Sequence, residues 1–163
     1  MSQCSFRENG EKKEGQLDFT TAVKMNIYQT IAETTQVPDV TDVAKSMGRP
    51  PAEVQQAFEA LANQRLLVLE PGDKTRIRMA PPFSGIETPV LVRVMGKSYH
   101  ANCAWDALGV AAALHQDADI VATCAYSGES LPIHVRQERV LPVDCLAHFA
   151  VPAALWWQDI IYT

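Results

Sequence analysis

Residues 83–110 read FSGIETPVLVRVMGKSYHANCAWDALGV, and their pattern decides the fold class. Pro89 to Met95 reads as a strand, Gly96-Lys97 as a turn, and Ser98 to Ala101 as the start of a second strand. Asn102 is a fitting N-cap for a helix that opens with Cys103-Ala104-Trp105-Asp106 and runs to about His115. Two strands and a tight turn that feed a helix make an α+β unit.

Working outward toward the C-terminus, Ile120 to Ala125 reads as a strand, Ser127-Gly128 as a turn, and Leu131 to Val135 as the partner strand. Further strand-like material is expected near 138–150, and Ala153 to Tyr162 looks helical. Toward the N-terminus, Pro81-Pro82 and Gly85 mark a linker. Before it, Leu66 to Met79 reads as two short strands around Glu70-Pro71-Gly72-Asp73. Val54, Ala57, Phe58 and Leu61 fall at i, i+3, i+4 and i+7, which predicts a helix that starts at Pro51. A short helix over 41–47 and a longer one over 17–36 precede it, the latter striped by Phe19, Val23, Ile27 and Ile31. Residues 1–16 are expected as a solvated, flexible leader. Three helices and then a hairpin give the order of a winged helix-turn-helix.

Composition narrows the function classes. The 163 residues are 47% hydrophobic and 20% charged, with a formal net charge of −5. The first 80 residues carry 10 Lys+Arg against 11 Asp+Glu, and the remainder 4 against 8. Neither half is the basic body of a nucleic-acid binder. The helix PAEVQQAFEALANQR (51–65) bears Glu53 and Glu59 and has Arg65 only at its far end. Lys74, Arg76 and Arg78 on the hairpin are the remaining case for DNA, and a structural or dimerising role fits the first half better. No apolar run approaches the about 18–20 residues of a membrane span. Nor does the N-terminus carry a secretory core, so a cytoplasmic protein is expected.

Four cysteines, Cys4, Cys103, Cys124 and Cys145, show no CxxC spacing, so reduced thiols are expected rather than a zinc knuckle or a redox pair. His100, His115, His134 and His148 show no HxH or HxxxH pattern. No P-loop, GxGxxG or GxSxG occurs. Trp105, Trp156 and Trp157 are expected as core aromatics. The pair Cys103 and Asp106 carries the most chemistry: three residues apart at a helix start, thiol and carboxyl share a face. The free amides and positive dipole end are expected to stabilise a thiolate there. A soft nucleophile beside a proton donor suits capture of a soft metal or bond cleavage by proton delivery. A buried Cys beside a helix-capping Asp is the alternative reading.

Residues 83–110 resemble the core of the organomercurial (alkylmercury) lyases. The resemblance continues through VATCAYSGESLPIHV (121–135), His148-Phe149, Val151-Pro152 and Trp156-Trp157-Gln158-Asp159-Ile160. It implies a winged-helix-like module over 17–80 and a small mixed-sheet catalytic domain over 81–163. It also implies that Cys103 is a thiolate that captures mercury, and that Asp106 shuttles a proton to the departing carbon. Cys124 resembles a cysteine regarded as structural. No cofactor is required on this reading; Hg(II) is a bound product that external thiols remove, and the partner is a small organometallic substrate.

The family's second catalytic cysteine follows the segment matched here by Trp156 to Thr163. Three expectations follow. The chain is a truncated piece; or Cys145 substitutes as a mercury ligand, with His148 as a nearby base; or the protein is a relative with other chemistry. The leading reading is protonolysis of carbon–mercury bonds. The alternatives are a mercury-free reaction, a soft-metal-binding protein, and a metal-responsive DNA-binding regulator.

Overall fold

In the computed structural model, residues 18–124, 126–142 and 148–161 are described. The apolar stripe of the first long segment forms α1 (Phe19–Thr34), with Val23, Ile27 and Ile31 buried. Asp18 caps it by accepting the Thr21 amide at 3.1 Å. α2 (Val40–Met47) starts at a reciprocal box, in which Asp39 accepts the Asp42 amide and Asp42 accepts the Asp39 amide. It ends where Gly48 takes φ 61°, a left-handed turn that glycine adopts without strain. α3 (Pro51–Asn63) has proline in its first turn and buries Val54, Ala57, Phe58 and Leu61. β1 (Val68–Glu70) and β2 (Asp73–Ala80) follow as an antiparallel hairpin.

The stretch expected as a linker is built into the sheet. Pro81-Pro82 is a cis turn between β2 and β3 (Phe83–Ser84), and the three strands form one sheet in the order β1-β2-β3. The Tyr28 hydroxyl of α1 donates to the Pro81 carbonyl at 2.8 Å, which ties the turn to the helices.

The second sheet holds β4 (Leu91–Val94), β5 (Lys97–His100), β6 (Ala118–Thr123), β7 (Ser130–Arg136) and β8 (Arg139–Leu141). Its order is β5-β4-β6-β7-β8. The resemblance implied a mixed sheet, but every pairing among the described strands is antiparallel. The reason lies in the crossover. The chain leaves β5, runs through α4 (Ala104–Leu114) and returns as β6 on the far side of β4. β5 and β6 therefore run parallel to each other without touching.

α4 packs on β4 and β6, and one continuous hydrophobic core runs from Val23, Ile27 and Phe58 of the helices to Val92, Val110 and Ile120. Lys97 Nζ and the Tyr99 hydroxyl of β5 donate to carbonyls at the end of α1, at 2.9–3.0 Å. The C-terminal stretch expected as a helix forms a 3-10 helix over Ala153–Gln158. Among the described residues, no helix is long and apolar enough to cross a membrane.

Candidate active site

α4 begins one residue later than its sequence indicates. Cys103, extended at φ −154° and ψ 177°, is the N-cap, and its Sγ accepts the Asp106 amide at 3.5 Å. Asn102, the expected cap, instead donates from Nδ2 to Asp106 Oδ2 at 2.9 Å. The half-buried carboxyl needs a donor, and Asn102 is within reach, so its amide is committed there. Thiol, carboxyl and carboxamide thus meet at the start of one helix. Asn102 is a site residue that sequence reading placed in another role; its i, i+4 spacing to Asp106 was the available signal.

The electrostatics bear on a second expectation, the thiolate at Cys103. Burial pushes the Asp106 carboxyl above the usual carboxylate range, opposed by the hydrogen bond from Asn102. Burial also pushes the Cys103 thiol up; the Asp106 amide pulls it down, and the charge of the Asp106 side chain raises it again. The helix start does supply its amide, but desolvation and the facing carboxylate outweigh it. Burial thus works against the thiolate form of Cys103 at this helix start. Tyr28 feels the same carboxylate: its hydroxyl is pushed up to about 12, chiefly by burial and then by the charge of Asp106.

The remaining expected residues are scattered. Cys124 sits at the turn after β6, where its amide donates to Glu129 O and its carbonyl accepts from Gly128 N, both at 2.8 Å. The Ser127 side chain and the amides of Ser127 and Tyr126 hold its thiol below the usual value. His100 is turned toward Thr88, with Nδ1 at 3.1 Å from the Thr88 amide. His148 is exposed, and Cys4 and Cys145 lie outside the described residues. Among the described residues, no group of three His, Cys, Asp or Glu side chains is arranged to hold a metal ion.

The tryptophans are not core. Trp105 is 58% exposed and Trp157 36%, the latter under the Arg65 guanidinium at 5.6 Å. Trp105 meets Phe149 at 6.3 Å between ring centroids, and Phe149 meets Trp156 at 5.1 Å. These rings, with Val151 and Pro152, line an open groove of about 460 Å³. Neither Cys103 nor Asp106 lines it.

In an α+β fold, a thiol and a carboxyl whose pKa burial raises thus stand on one helical turn. Residues 83–163, just under half of the chain, match the MerB family, alkylmercury lyase. An alkylmercury lyase of Staphylococcus epidermidis is 29% identical over 118 residues, 72% of this chain and 51% of that protein. The chain thus spans about half the length of this curated relative. The crystal structure of the mercury-bound form of MerB2 superposes with a TM-score of 0.60 at 26% identity, covering 76% of this chain and 59% of the other.

Proposed function

We propose that this protein cleaves the carbon–mercury bond of an organomercurial by protonolysis, with Cys103 as mercury ligand and Asp106 as acid–base group. The arrangement that carries the reading is the Cys103–Asp106–Asn102 cluster at the start of α4. On capture, Cys103 sulfur bonds to mercury, the anionic ligand leaves the metal, and the thiol proton passes to the Asp106 carboxylate. In the second step the Hg–C bond breaks with its electron pair on carbon, and carbon takes the proton from Asp106. The products are a hydrocarbon and Hg(II) on sulfur, which external thiols remove.

The raised carboxyl supports this role, because a group that must accept and then release one proton works best with its pKa moved toward the operating pH. Asn102 supports it by fixing one carboxyl oxygen. Cys145 is the thiol of this chain assigned as a further mercury ligand, and no cofactor is required. A cytoplasmic setting with a small organometallic substrate fits the reading. Nucleic acid does not, since Lys74 is paired with Glu59 at 2.8 Å and Arg78 with Glu70 at 3.1 Å.

The test is benzene release from a phenylmercury salt in excess thiol. Cys103→Ser and Asp106→Asn should each lose about 100-fold or more, the scale of a lost general acid. An unchanged rate in either variant sinks the proposal. Stoichiometric Hg(II) uptake without hydrocarbon release would replace it with a metal-sequestering role.

A further inference from the structure

We propose that Asn102 is a positioning residue for the proton step: its carboxamide holds Oδ2 of Asp106, so that Oδ1 is the oxygen that takes the thiol proton and delivers it to carbon. This rests on the lyase reading and deepens it. The observation is the 2.9 Å bond from Asn102 Nδ2 to Asp106 Oδ2. A carboxamide NH2 group donates and does not accept. The carboxyl oxygen that receives it keeps its lone pair for that bond, and the acid hydrogen of the neutral carboxyl goes to the other oxygen.

Both ends of the bond stand on pinned backbone. Just before Asn102, Ala101 is fully buried and pairs with Phe83. Its amide donates to the Val90 carbonyl at 3.1 Å, and its carbonyl accepts the Thr88 hydroxyl at 2.6 Å. Just after Asp106, Ala107 is fully buried and its amide donates to the Cys103 carbonyl at 3.0 Å. Cys103 lies between the two ends, and its Sγ takes the Asp106 amide. With Oδ2 tied to Asn102 and Cβ fixed by the helix, the carboxyl has little freedom to turn about its Cβ–Cγ bond.

The bond also changes strength along the reaction, because a carboxylate is a better acceptor than a neutral acid. When Oδ1 gives its hydrogen to carbon, the O–H bond breaks, the C–H bond forms, and negative charge returns to the carboxyl. Part of that charge falls on the oxygen that Asn102 holds. The interaction therefore grows as the proton leaves, which favours release over retention.

The experiment is single-turnover benzene release from phenylmercury with protein in excess, in which uptake and release are read separately. Asn102→Leu keeps the approximate shape and removes the donor. It should still take up one equivalent of phenylmercury but release benzene about 10- to 100-fold more slowly, the scale of a hydrogen bond to a charged group. Asn102→Gln, which restores a carboxamide, should recover part of the loss. An unchanged release rate in Asn102→Leu, equal losses in both variants, or lost uptake in a folded variant overturns the proposal. Nuclear magnetic resonance needs neither turnover nor mercury, and it decides should Asn102→Leu fail to fold. One Nδ2 proton of Asn102 should lie downfield of the usual carboxamide position, and Asp106→Ala should return it there. A signal that ignores Asp106→Ala overturns the geometry itself. Benzene withheld by the intact chain, with that signal in place, overturns the lyase reading and leaves the hold of Asn102 on Asp106 standing.

Discussion

Gly109 is where the helix that carries the candidate site touches the turn that ties it to the helical half, and replacing it with alanine sets two known effects against each other. A methyl built on Gly109 would stand 2.9 Å from Pro82 Cβ and 3.5 Å from Pro82 Cγ. In an open helix interior, Gly→Ala stabilises by about 1 kcal/mol. Overpacking a tight contact costs about 1–3 kcal/mol. Which effect wins depends on whether Pro82 can yield. Its ring is rigid, its turn joins two paired strands, and the preceding carbonyl is held by Tyr28. The clash should therefore win, leaving Gly109→Ala destabilised by about 1 kcal/mol net. For a chain of this size that is a fall in Tm of about 2–4 °C. Thermal unfolding followed by circular dichroism reads it directly. A rise in Tm would refute the reasoning, because it would show that α4 shifts away from Pro82 at no cost.

Asp106→Asn should raise stability at neutral pH while removing activity. The folded pKa of Asp106 lies above its unfolded value, so its stabilising contribution is full below the unfolded pKa and is lost as pH rises through the folded one. Asparagine escapes that loss and can still accept from Asn102. Urea midpoints should favour the variant at pH 7 and converge with the parent near about pH 3; a gap independent of pH would contradict the assignment. Asp39→Ala should cost about 1 kcal/mol by removing the carboxylate that accepts the Thr41 and Asp42 amides at the start of α2, while the bond from the residue 39 amide to Asp42 stays. A Tm within error of the parent would show that this carboxylate contributes nothing.

The helices were legible because their buried stripes repeat at helical spacing: Val23, Ile27 and Ile31, then Val54, Phe58 and Leu61, are all at most 1% exposed. The Cys103–Asp106 pair was legible for the same reason, since spacing alone places two side chains on one turn. What spacing could not show was which neighbour would commit to which. Asn102 is the better N-cap by propensity, yet a half-buried carboxyl competes for its amide, and the weaker cap Cys103 takes the position. Nor could spacing show that burial, a tertiary property, raises the Cys103 thiol against the pull of the local amide. Trp105 and Trp157 were assigned to the core on hydrophobicity, which ignores that so large a ring is rarely buried whole. The linker reading of Pro81-Pro82 failed because prolines punctuate strands as readily as they separate domains.

The last turn of α1 ends on carbonyls that receive their partners from Lys97 and Tyr99, some 65 residues further along the chain. β3, at the head of the segment that carries the family likeness, is in turn a strand of the first sheet. The boundary of recognisable ancestry and the boundary of mechanical self-sufficiency therefore fall in different places. A gene exchange that moved residues 83–163 alone would carry the thiol and the carboxyl, but leave their scaffold with an unpaired strand and the buried Tyr99 facing solvent. Residues 83–163 standing alone would need another surface to cover the same edge.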